Sequence, residues 1–371
     1  MHLFFPLFFL EIVIAVAVFT NVAEYVCMPV KKRTVRFLSD ERLNIYLFLS
    51  LGAIFIFHAF KNPFTLEDIP DYARAFDEAG QISWDRVVNV GYESLKTETG
   101  FALVIKTISV FFRSSQVLFI LTSAFIMLAV YFSIKRYSTI FWLSVLVFMV
   151  DTFPQSLFML RAFIAVCIYL FAFPAIINRK IVVFLLLALF AFSIHTSSVI
   201  FFPVYFLYGL KNWRYLLFVL IAISVTTILG FSIILPFLVE YIFTDYAYYI
   251  INANEYEGAS WKMPALLSAI LVFRMIVMKE HFFEDGINRL LSIVMILAVV
   301  IYVAGMGFGL TSRMALYYTN MTFLILPNTI KYIKSPSWQF ACAVVYILFN
   351  SFFFFKSASD PLWANYQLIE I

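Results

Sequence analysis

Two basic side chains, Arg161 and His195, stand in an almost wholly apolar stretch that runs from Leu157 to Leu210. A guanidinium in a membrane segment costs about 2.5–3.5 kcal/mol on insertion scales, so it needs a partner, a water-filled cavity or a function. Guanidinium suits phosphate or pyrophosphate, and imidazole suits base catalysis or hydrogen-bond donation. Without a function, Arg161 would reach the interface or pair with Asp151, and His195 would bond the free carbonyls of a bent helix.

An acidic segment before this stretch holds a second group of candidates. Asp68, Asp71 and Tyr72 lie in the run FTLEDIPDYARAF and could activate a hydroxyl or bind a sugar. Arg74 follows them in the same run. An acid in a solvated loop is also an ordinary surface charge, so each of these residues has a second, purely structural interpretation.

Glu98 and Arg313 stand at the beginning of two other apolar segments. A carboxylate at Glu98 suits the N-terminus of the helix that follows it, because helix N-termini carry partial positive charge. Arg313 has the same two interpretations as Arg161, a ligand for phosphate or an arginine at the membrane interface. The predicted topology places Arg161, His195 and Arg313 near one outer face, with the acidic segment above them.

The composition is that of an integral membrane protein. The chain has 371 residues, 63% of them hydrophobic and 13% charged, whereas soluble domains have about 25% charged residues. The apolar runs are continuous rather than alternating, which predicts an all-α fold. The cysteines lie in apolar runs without metal-binding spacing, so we expect neither a disulfide framework nor a metal site. Nucleotide-binding, zinc-protease and nucleic-acid-binding patterns are also missing from the sequence.

Basic clusters after alternate apolar segments predict a single polytopic domain over residues 1–371, with about ten transmembrane helices and both termini outside. Residues 61–116 and 239–262 are predicted to be external. Between Lys61 and Gly100 the first of these segments has eight acidic residues against four basic ones. Met1–Leu10 lacks a basic region, so we expect no cleavable signal peptide.

Two segments depart from simple spans. Phe101–Phe112 is too short to cross a bilayer and is predicted to form an interfacial or re-entrant helix in the long external loop. Ile181–Leu210 is flanked by basic residues at both ends, which a single span would place on opposite sides. We therefore predict a half-helix pair bent near His195–Ser198, since broken helices at membrane depth occur where they line protein or water.

Five segments together resemble the EpsG-like, Wzy-type polysaccharide polymerases of bacteria. In chain order they are FTLEDIPDYARAF, ETGFALVIKTISVFF, MLRAFIAVCIYLFAF, LFAFSIHTSSVIFFPVYFL and TSRMALYYTNMTFLILPNTI. They resemble the family's aspartate–tyrosine segment, its short amphipathic helix, its leucine–arginine helix, its histidine–x–serine bend and its late arginine–tyrosine span. The likeness covers nearly the whole chain. Ala162 departs from it where the family usually has glutamine, and KNPFTLEDIP replaces a glycine-rich run.

The resemblance implies a polymerase in the bacterial cytoplasmic (inner) membrane, with its active site facing the periplasm or exterior. It would transfer a glycan from undecaprenyl pyrophosphate to another lipid-linked repeat unit of an O-antigen, capsule or exopolysaccharide, without a cofactor. Arg161 and Arg313 would stabilise the departing pyrophosphate, and His195, Asp71 or Glu98 would be the base. The other substrate-binding candidates are Arg74, Asp68 and Tyr72. Expected partners are the bilayer, a chain-length regulator and a flippase, and no nucleic acid.

Other functions fit the same residues. A transporter or flippase for lipid-linked oligosaccharides would also need charges and a lipid-accessible cavity inside the membrane. A single-addition glycosyltransferase or an O-acyltransferase would use a similar site, and O-acyltransferases also use an intramembrane histidine. A structural membrane subunit without catalysis is the simplest alternative. Product mass separates the transferases, because acylation adds a small fixed mass and polymerisation adds whole repeat units.

Overall fold

The computed structural model describes residues 4–18, 41–64, 66, 68–226, 262–304, 310–357 and 366–368. Regular structure in these ranges is helical, and an isolated antiparallel bridge joins Lys61 to Leu368. The predicted all-α class is therefore confirmed. The prediction of a single domain stays a prediction. The second predicted external loop, 239–262, lies outside the described residues except for its last position.

The helices form two groups along the chain. The first group comprises α1 (Phe4–Val18), α2 (Glu41–Ala59), α3 (Ile69–Ala79), α4 (Trp84–Asn89), α5 (Thr99–Phe111), α6 (Gln116–Tyr137), α7 (Phe141–Val147), a π-helical turn (Phe148–Thr152) and α8 (Phe153–Ser156). The second group comprises α9 (Leu160–Ile177), α10 (Ile181–Ile194), a 3-10 helix (Thr196–Phe201), α11 (Pro203–Gly209), α12 (Trp213–Thr226), α13 (Lys262–Met278), a 3-10 helix (Lys279–Phe283), α14 (Ile287–Ala304), α15 (Leu310–Thr319), α16 (Thr322–Ile330) and α17 (Pro336–Ser357).

Helix α9 lies at the centre of the bundle. After Arg161 its sequence is apolar on every side, and a helix of that kind needs protein or lipid all round. Most of its side chains are buried between α6 and α10, which both pack along it. With 18 residues it is about 27 Å long, close to the thickness of a bilayer core.

Three described helices are long and apolar enough to cross a membrane, namely Gln116–Tyr137, Leu160–Ile177 and Pro336–Phe355. Shorter apolar helices accompany them, including Leu43–Ala59 and Ile287–Val303. This supports a polytopic membrane protein, and the number of spans stays a prediction. The third long helix is the most peripheral, because side chains such as Val345, Leu348 and Phe352 are exposed on it.

The predicted loop at 61–116 is a small helical layer. It contains α3, α4 and α5, of which the sequence pattern predicts only α5. Helix α3 is amphipathic and packs its buried face on α5, where Tyr72 meets Phe101 edge to face with 5.6 Å between ring centroids. Lys106 interrupts the apolar pattern of α5, but its Nζ donates to Ala79 O at 2.7 Å and so stabilises the end of α3. We call the end of the bundle that carries this layer the loop face.

The predicted half-helix pair is present. Helix α10 ends at Ile194, His195 is extended with φ −154° and ψ 113°, and the chain continues as a short 3-10 helix before Pro203 begins α11. Proline suits the first turn of a helix because the backbone donor that it lacks has no partner there. The break therefore begins at His195, where the sequence predicts it.

Two predicted spans have a different form. The span predicted at Ile140–Val150 continues through the π-helical turn and α8 to Ser156. The span predicted at Met314–Ile330 is two helices, α15 and α16, which are separated at Asn320 and Met321. The apolar pattern predicts where a chain enters the bilayer, but it does not report wide turns or breaks inside an apolar run.

Candidate functional site

Glu98 joins the two basic residues of the central apolar stretch. Its Oε2 accepts a hydrogen bond from Arg161 Nη1 at 2.8 Å, and its Oε1 lies 2.8 Å from His195 Nδ1. The backbone N–H of Thr196 also donates to Oε1 at 2.8 Å. One carboxylate from the loop face therefore holds residues from α9 and from the break after α10. We call Glu98, Arg161 and His195 the Glu98 cluster.

Gly100 allows the loop face to approach the broken helix this closely. A Cβ at this position would lie 2.4 Å from Ser193 Oγ and 2.5 Å from the backbone oxygen of Ser193. Neither distance is tolerable for a real Cβ, so only glycine permits the N-terminus of α5 to contact the end of α10. Glu98 stands directly before α5, and this contact brings its carboxylate to His195 and Thr196.

The charge state of Glu98 follows from its partners. Burial by itself would raise the pKa of this carboxyl. The hydrogen bond and charge of His195, the charge of Arg161 and the Thr196 N–H outweigh burial and lower the pKa to about 2. Glu98 is therefore ionised at neutral pH, with both oxygens accepting hydrogen bonds.

His195 is oriented by this carboxylate. An ionised carboxylate only accepts, so Nδ1 of His195 carries the hydrogen in their bond. Nε2 of the neutral ring then has a lone pair, and it takes no part in the bond to Glu98. A carboxylate that fixes the tautomer of a histidine and leaves the other nitrogen as a base is a recurrent catalytic arrangement.

Arg161 has further, longer contacts at the loop face. Its Nε lies 3.4 Å from Tyr72 Oη, and its Nη1 lies 3.3 Å from both Thr97 Oγ1 and Lys96 O. None of these bonds to described residues uses Nη2, and 22% of the side chain is exposed. The guanidinium is thus held in place and still presents donors to a ligand.

The alternative pairing of Arg161 with Asp151 is wrong. Asp151 lies in the π-helical turn, where its Oδ2 accepts a hydrogen bond from Tyr346 Oη at 2.6 Å. Arg161 instead forms its ion pair with Glu98.

Asp68 and Arg313 belong to the same electrostatic neighbourhood. Asp68 precedes α3 but makes no hydrogen bond that caps the helix. Part of its side chain is open to solvent. Partial burial raises the pKa of its carboxyl, against the opposing positive charges of Arg313 and Arg161 and the charge that His195 carries when protonated. Arg313, at the beginning of α15, is exposed. The structure therefore brings both arginines and Asp68 near the Glu98 cluster.

The other candidates from the acidic segment divide into two groups. Tyr72 is buried beneath Arg161, and burial raises the pKa of its hydroxyl. Asp71 and Arg74 form an ion pair with each other on the exposed side of α3. Their side chains are 40% and 63% exposed, so solvent screens this pair. Tyr72 thus contacts the Glu98 cluster through Arg161, whereas Asp71 and Arg74 pair with each other instead.

Sequence reasoning missed the residues that fix the broken helix to its neighbours. Ser197 Oγ lies 3.0 Å from Tyr317 Oη, and Tyr169 Oη donates to Ser198 O at 2.9 Å. These bonds connect the 3-10 helix to α15 and α9. The available signal was the polar run after His195, which is unusual in so apolar a stretch.

The fold and this site define a class, an α-helical membrane protein with a preorganised cation and histidine at one end of the bundle. The EpsG family profile matches residues 44–368, and the chain therefore belongs to the EpsG family. EpsG is a Wzy-like polysaccharide polymerase family, which supports a polymerase-type function in polysaccharide synthesis and a membrane location. No curated protein sequence and no solved structure matches the chain.

Proposed function

We propose that this chain polymerises oligosaccharide repeat units carried on undecaprenyl pyrophosphate, at the outer leaflet of the bacterial cytoplasmic membrane. The observation that carries the proposal is the Glu98 cluster, in which one carboxylate holds a guanidinium and an imidazole side by side. Glycosyl transfer with a pyrophosphate leaving group needs a cation to stabilise the leaving group and, close to it, a base to accept the proton of the acceptor hydroxyl.

Arg161 and Arg313 bind and stabilise the leaving group. Charge develops on the bridging oxygen as the sugar–pyrophosphate bond breaks, and donors fixed in advance stabilise it most. Arg161 is fixed by Glu98, Tyr72 and Thr97, while its Nη2 makes no bond to them. Arg313 contributes a second positive charge near the same place.

His195 is the base, and Glu98 is a positioning residue. In the reaction, the acceptor hydroxyl oxygen forms a bond to the anomeric carbon of the donor glycan. The bond from that carbon to the pyrophosphate oxygen breaks, and pyrophosphate leaves with the electron pair. The hydroxyl proton goes to His195 Nε2. Glu98 is poorly suited to accept it, because its low pKa and two occupied oxygens make it a weak base.

Asp68 and Tyr72 line the same neighbourhood and contribute to substrate binding. Asp71 and Arg74 contribute less than the resemblance implies, since they pair with each other at the surface. We also propose that a flippase supplies the lipid-linked units and that a chain-length regulator acts on the growing product.

The test is complementation of a strain that lacks this protein. We expect single repeat units on the lipid carrier in the null strain and a polymer ladder with wild type. His195→Gln and Glu98→Gln should lower the amount of polymer by about 100-fold or more at normal protein levels. Arg86→Gln is the matched control, because Arg86 pairs with Glu93 at the exposed loop face and should support a normal ladder.

Other outcomes would contradict the proposal. Full polymer from well-expressed His195→Gln would exclude this base. Units trapped on the cytoplasmic side of the null strain would favour a flippase. A ladder that persists in the null strain would favour a tailoring enzyme, either a single-addition glycosyltransferase or an O-acyltransferase.

A further inference from the structure

A second site with polar groups lies within the bundle. One of its lining residues, Phe158, precedes Arg161 by three residues. The site is a cavity of about 380 Å³ bounded by the π-helical turn, α8, α13, the junction of α15 with α16, and α17. This volume falls in the usual range of ligand pockets, about 300–1,000 Å³. We call it the Asp151 cavity.

The polar groups of this cavity both accept and donate hydrogen bonds. Asp151 Oδ2 accepts from Tyr346 Oη at 2.6 Å, so the tyrosine donor is occupied. The amide nitrogens of Asn320 and Asn350 donate to carbonyls of their own helical segments, at 2.9 Å and 3.1 Å. The other carboxylate oxygen, the amide oxygens and the second N–H of the Asn320 amide are therefore available to a ligand, and Gln155 adds a further amide to the lining.

The cavity differs in charge from the Glu98 cluster. Its described lining includes Asp151 but no lysine, arginine or histidine. An anionic pyrophosphate would therefore find no cation among the described lining residues. A ligand with several hydroxyl groups, each able to donate and to accept, would match these polar groups. Aromatic and aliphatic residues of the wall, such as Phe158 and Phe354, would cover its apolar faces.

The backbone at Asp151 is itself unusual. A π-helical turn inserts an extra residue into the helix and is frequent at functional sites. An ionisable residue at this depth is expensive and is by default a functional candidate. The mechanism proposed above makes no use of Asp151.

The position of the cavity connects it with the reaction. Phe158 lines it and precedes Arg161 by three residues. Asn320 also lines it and follows Arg313 by seven residues, about 10 Å further along the axis of α15. The cavity wall therefore comes within three residues of Arg161 and seven residues of Arg313 along the chain, which puts a group bound in the cavity next to the arginine site.

We propose that the Asp151 cavity binds a neutral, polyhydroxylated group, the sugar of a lipid-linked substrate, and does not bind the pyrophosphate. This inference rests on the proposed function for the identity of the substrate. Asp151, Asn320 and Asn350 accept hydrogen bonds from the sugar hydroxyls, and Tyr346 holds the Asp151 carboxylate in place.

The test is photolabelling of the full-length protein in lipid nanodiscs. The probes are photoreactive alkyl glycosides of glucose, galactose and N-acetylglucosamine, and a photoreactive alcohol of the same chain length. Labelled peptides are mapped by mass spectrometry. We expect at least one glycoside, but not the alcohol, to label the segments 150–158 and 346–354.

Variants then test the polar groups. Asp151→Asn keeps the shape of the side chain, and Asn350→Leu removes an acceptor. Each should reduce glycoside labelling about tenfold, the effect of losing a hydrogen bond to a charged or buried group. Ser351→Ala is the matched control, because Ser351 adjoins Asn350 on α17 but does not line the cavity.

The outcomes separate this inference from the proposed function. Equal labelling by the alcohol, displacement by inorganic pyrophosphate, or unchanged labelling in Asp151→Asn and Asn350→Leu would overturn the sugar site, whatever Arg161 variants do to polymer. Arg161→Gln should abolish polymer and leave glycoside labelling intact. If Arg161→Gln keeps full polymer, the pyrophosphate assignment fails while the labelling result still stands.

Discussion

Arg274 and Arg161 are both mostly or fully removed from solvent, and their surroundings differ. Arg274 on α13 is fully buried, and Nε, Nη1 and Nη2 all donate to neutral groups. The acceptors are Ser292 Oγ at 3.0 Å, Thr329 Oγ1 at 2.7 Å and Asn288 O at 3.0 Å. Arg161 has a carboxylate partner, weaker neutral contacts and an exposed fraction. The donors of Arg274 are bound by the protein, whereas Arg161 is positioned by the protein and keeps donors for the ligand that we propose.

The two arginines illustrate two different uses of arginine in membrane helix bundles. An arginine whose donors meet fixed acceptors of the protein stabilises the packing of helices, as Arg274 does between α13, α14 and α16. An arginine held on one side by a carboxylate keeps both its charge and some donors for an anion. Sequence alone does not separate the two cases, since both residues stand in apolar segments.

The largest expected effect is on activity at Arg161. Arg161→Gln should lower polymer synthesis about 100- to 1,000-fold at normal protein levels, since it removes a donor that stabilises charge in the transition state. The measurement is polymer formed per amount of purified protein. If Arg274→Gln, tested in parallel, shows the same loss of activity per folded molecule, the two arginines do not differ in function as we propose.

Arg274 should instead affect stability. Arg274→Gln leaves several buried acceptors without donors, and each such group costs about 1–3 kcal/mol. We expect less protein in the membrane and a lower unfolding temperature in detergent, with nearly normal activity per folded molecule. A normal unfolding temperature would show that Arg274 does not stabilise the packing of these helices.

Gly100 tests the contact that assembles the Glu98 cluster. Gly100→Ala should force α5 away from Ser193 and lower activity about tenfold or more, because misplacement of catalytic groups is costly. Gly52→Ala is the matched control, since its Cβ would meet nothing within 4 Å and α2 should tolerate it. Equal activity of the two variants would mean that the close approach at Gly100 is not required.

The smallest expected effect is on the pH dependence of stability. The pKa of Glu98 is about 2 in the folded protein, below its ordinary value of 4.5. Its stabilising contribution is therefore complete above about pH 4.5 and is lost as the pH falls from there toward 2. Wild type should lose a few degrees of unfolding temperature in this range that Glu98→Gln does not lose. Identical acid profiles would contradict the low pKa.

Sequence reasoning located the fold class, the break at His195 and the shared neighbourhood of Arg161, His195 and Arg313. These follow from apolar length, flanking charge and the rarity of polar residues in apolar runs. For a purely structural Arg161 it left two alternatives open, an arginine that reaches the interface and an ion pair with Asp151. The real partner, Glu98, comes from the loop face, and that approach depends on a missing side chain at Gly100.

Other features were missed although part of their signal stands in the sequence. Helices α3 and α4 lie in a polar segment that resembles a loop, and α3 depends on packing against α5. Asp151 ends one apolar run and Thr319 and Asn320 interrupt another, but these polar residues do not by themselves specify a π-helical turn or a break. Such backbone departures are set by tertiary packing, which a pattern along one chain does not record.

The most direct test of the central claim is reconstitution of purified protein in liposomes with a labelled lipid-linked repeat unit. The account predicts a ladder of products that differ by whole repeat units with wild type, and unreacted substrate with Arg161→Gln or His195→Gln. Movement of the labelled lipid across the bilayer with unchanged glycan mass, or a single addition that Arg161→Gln still performs, would contradict it.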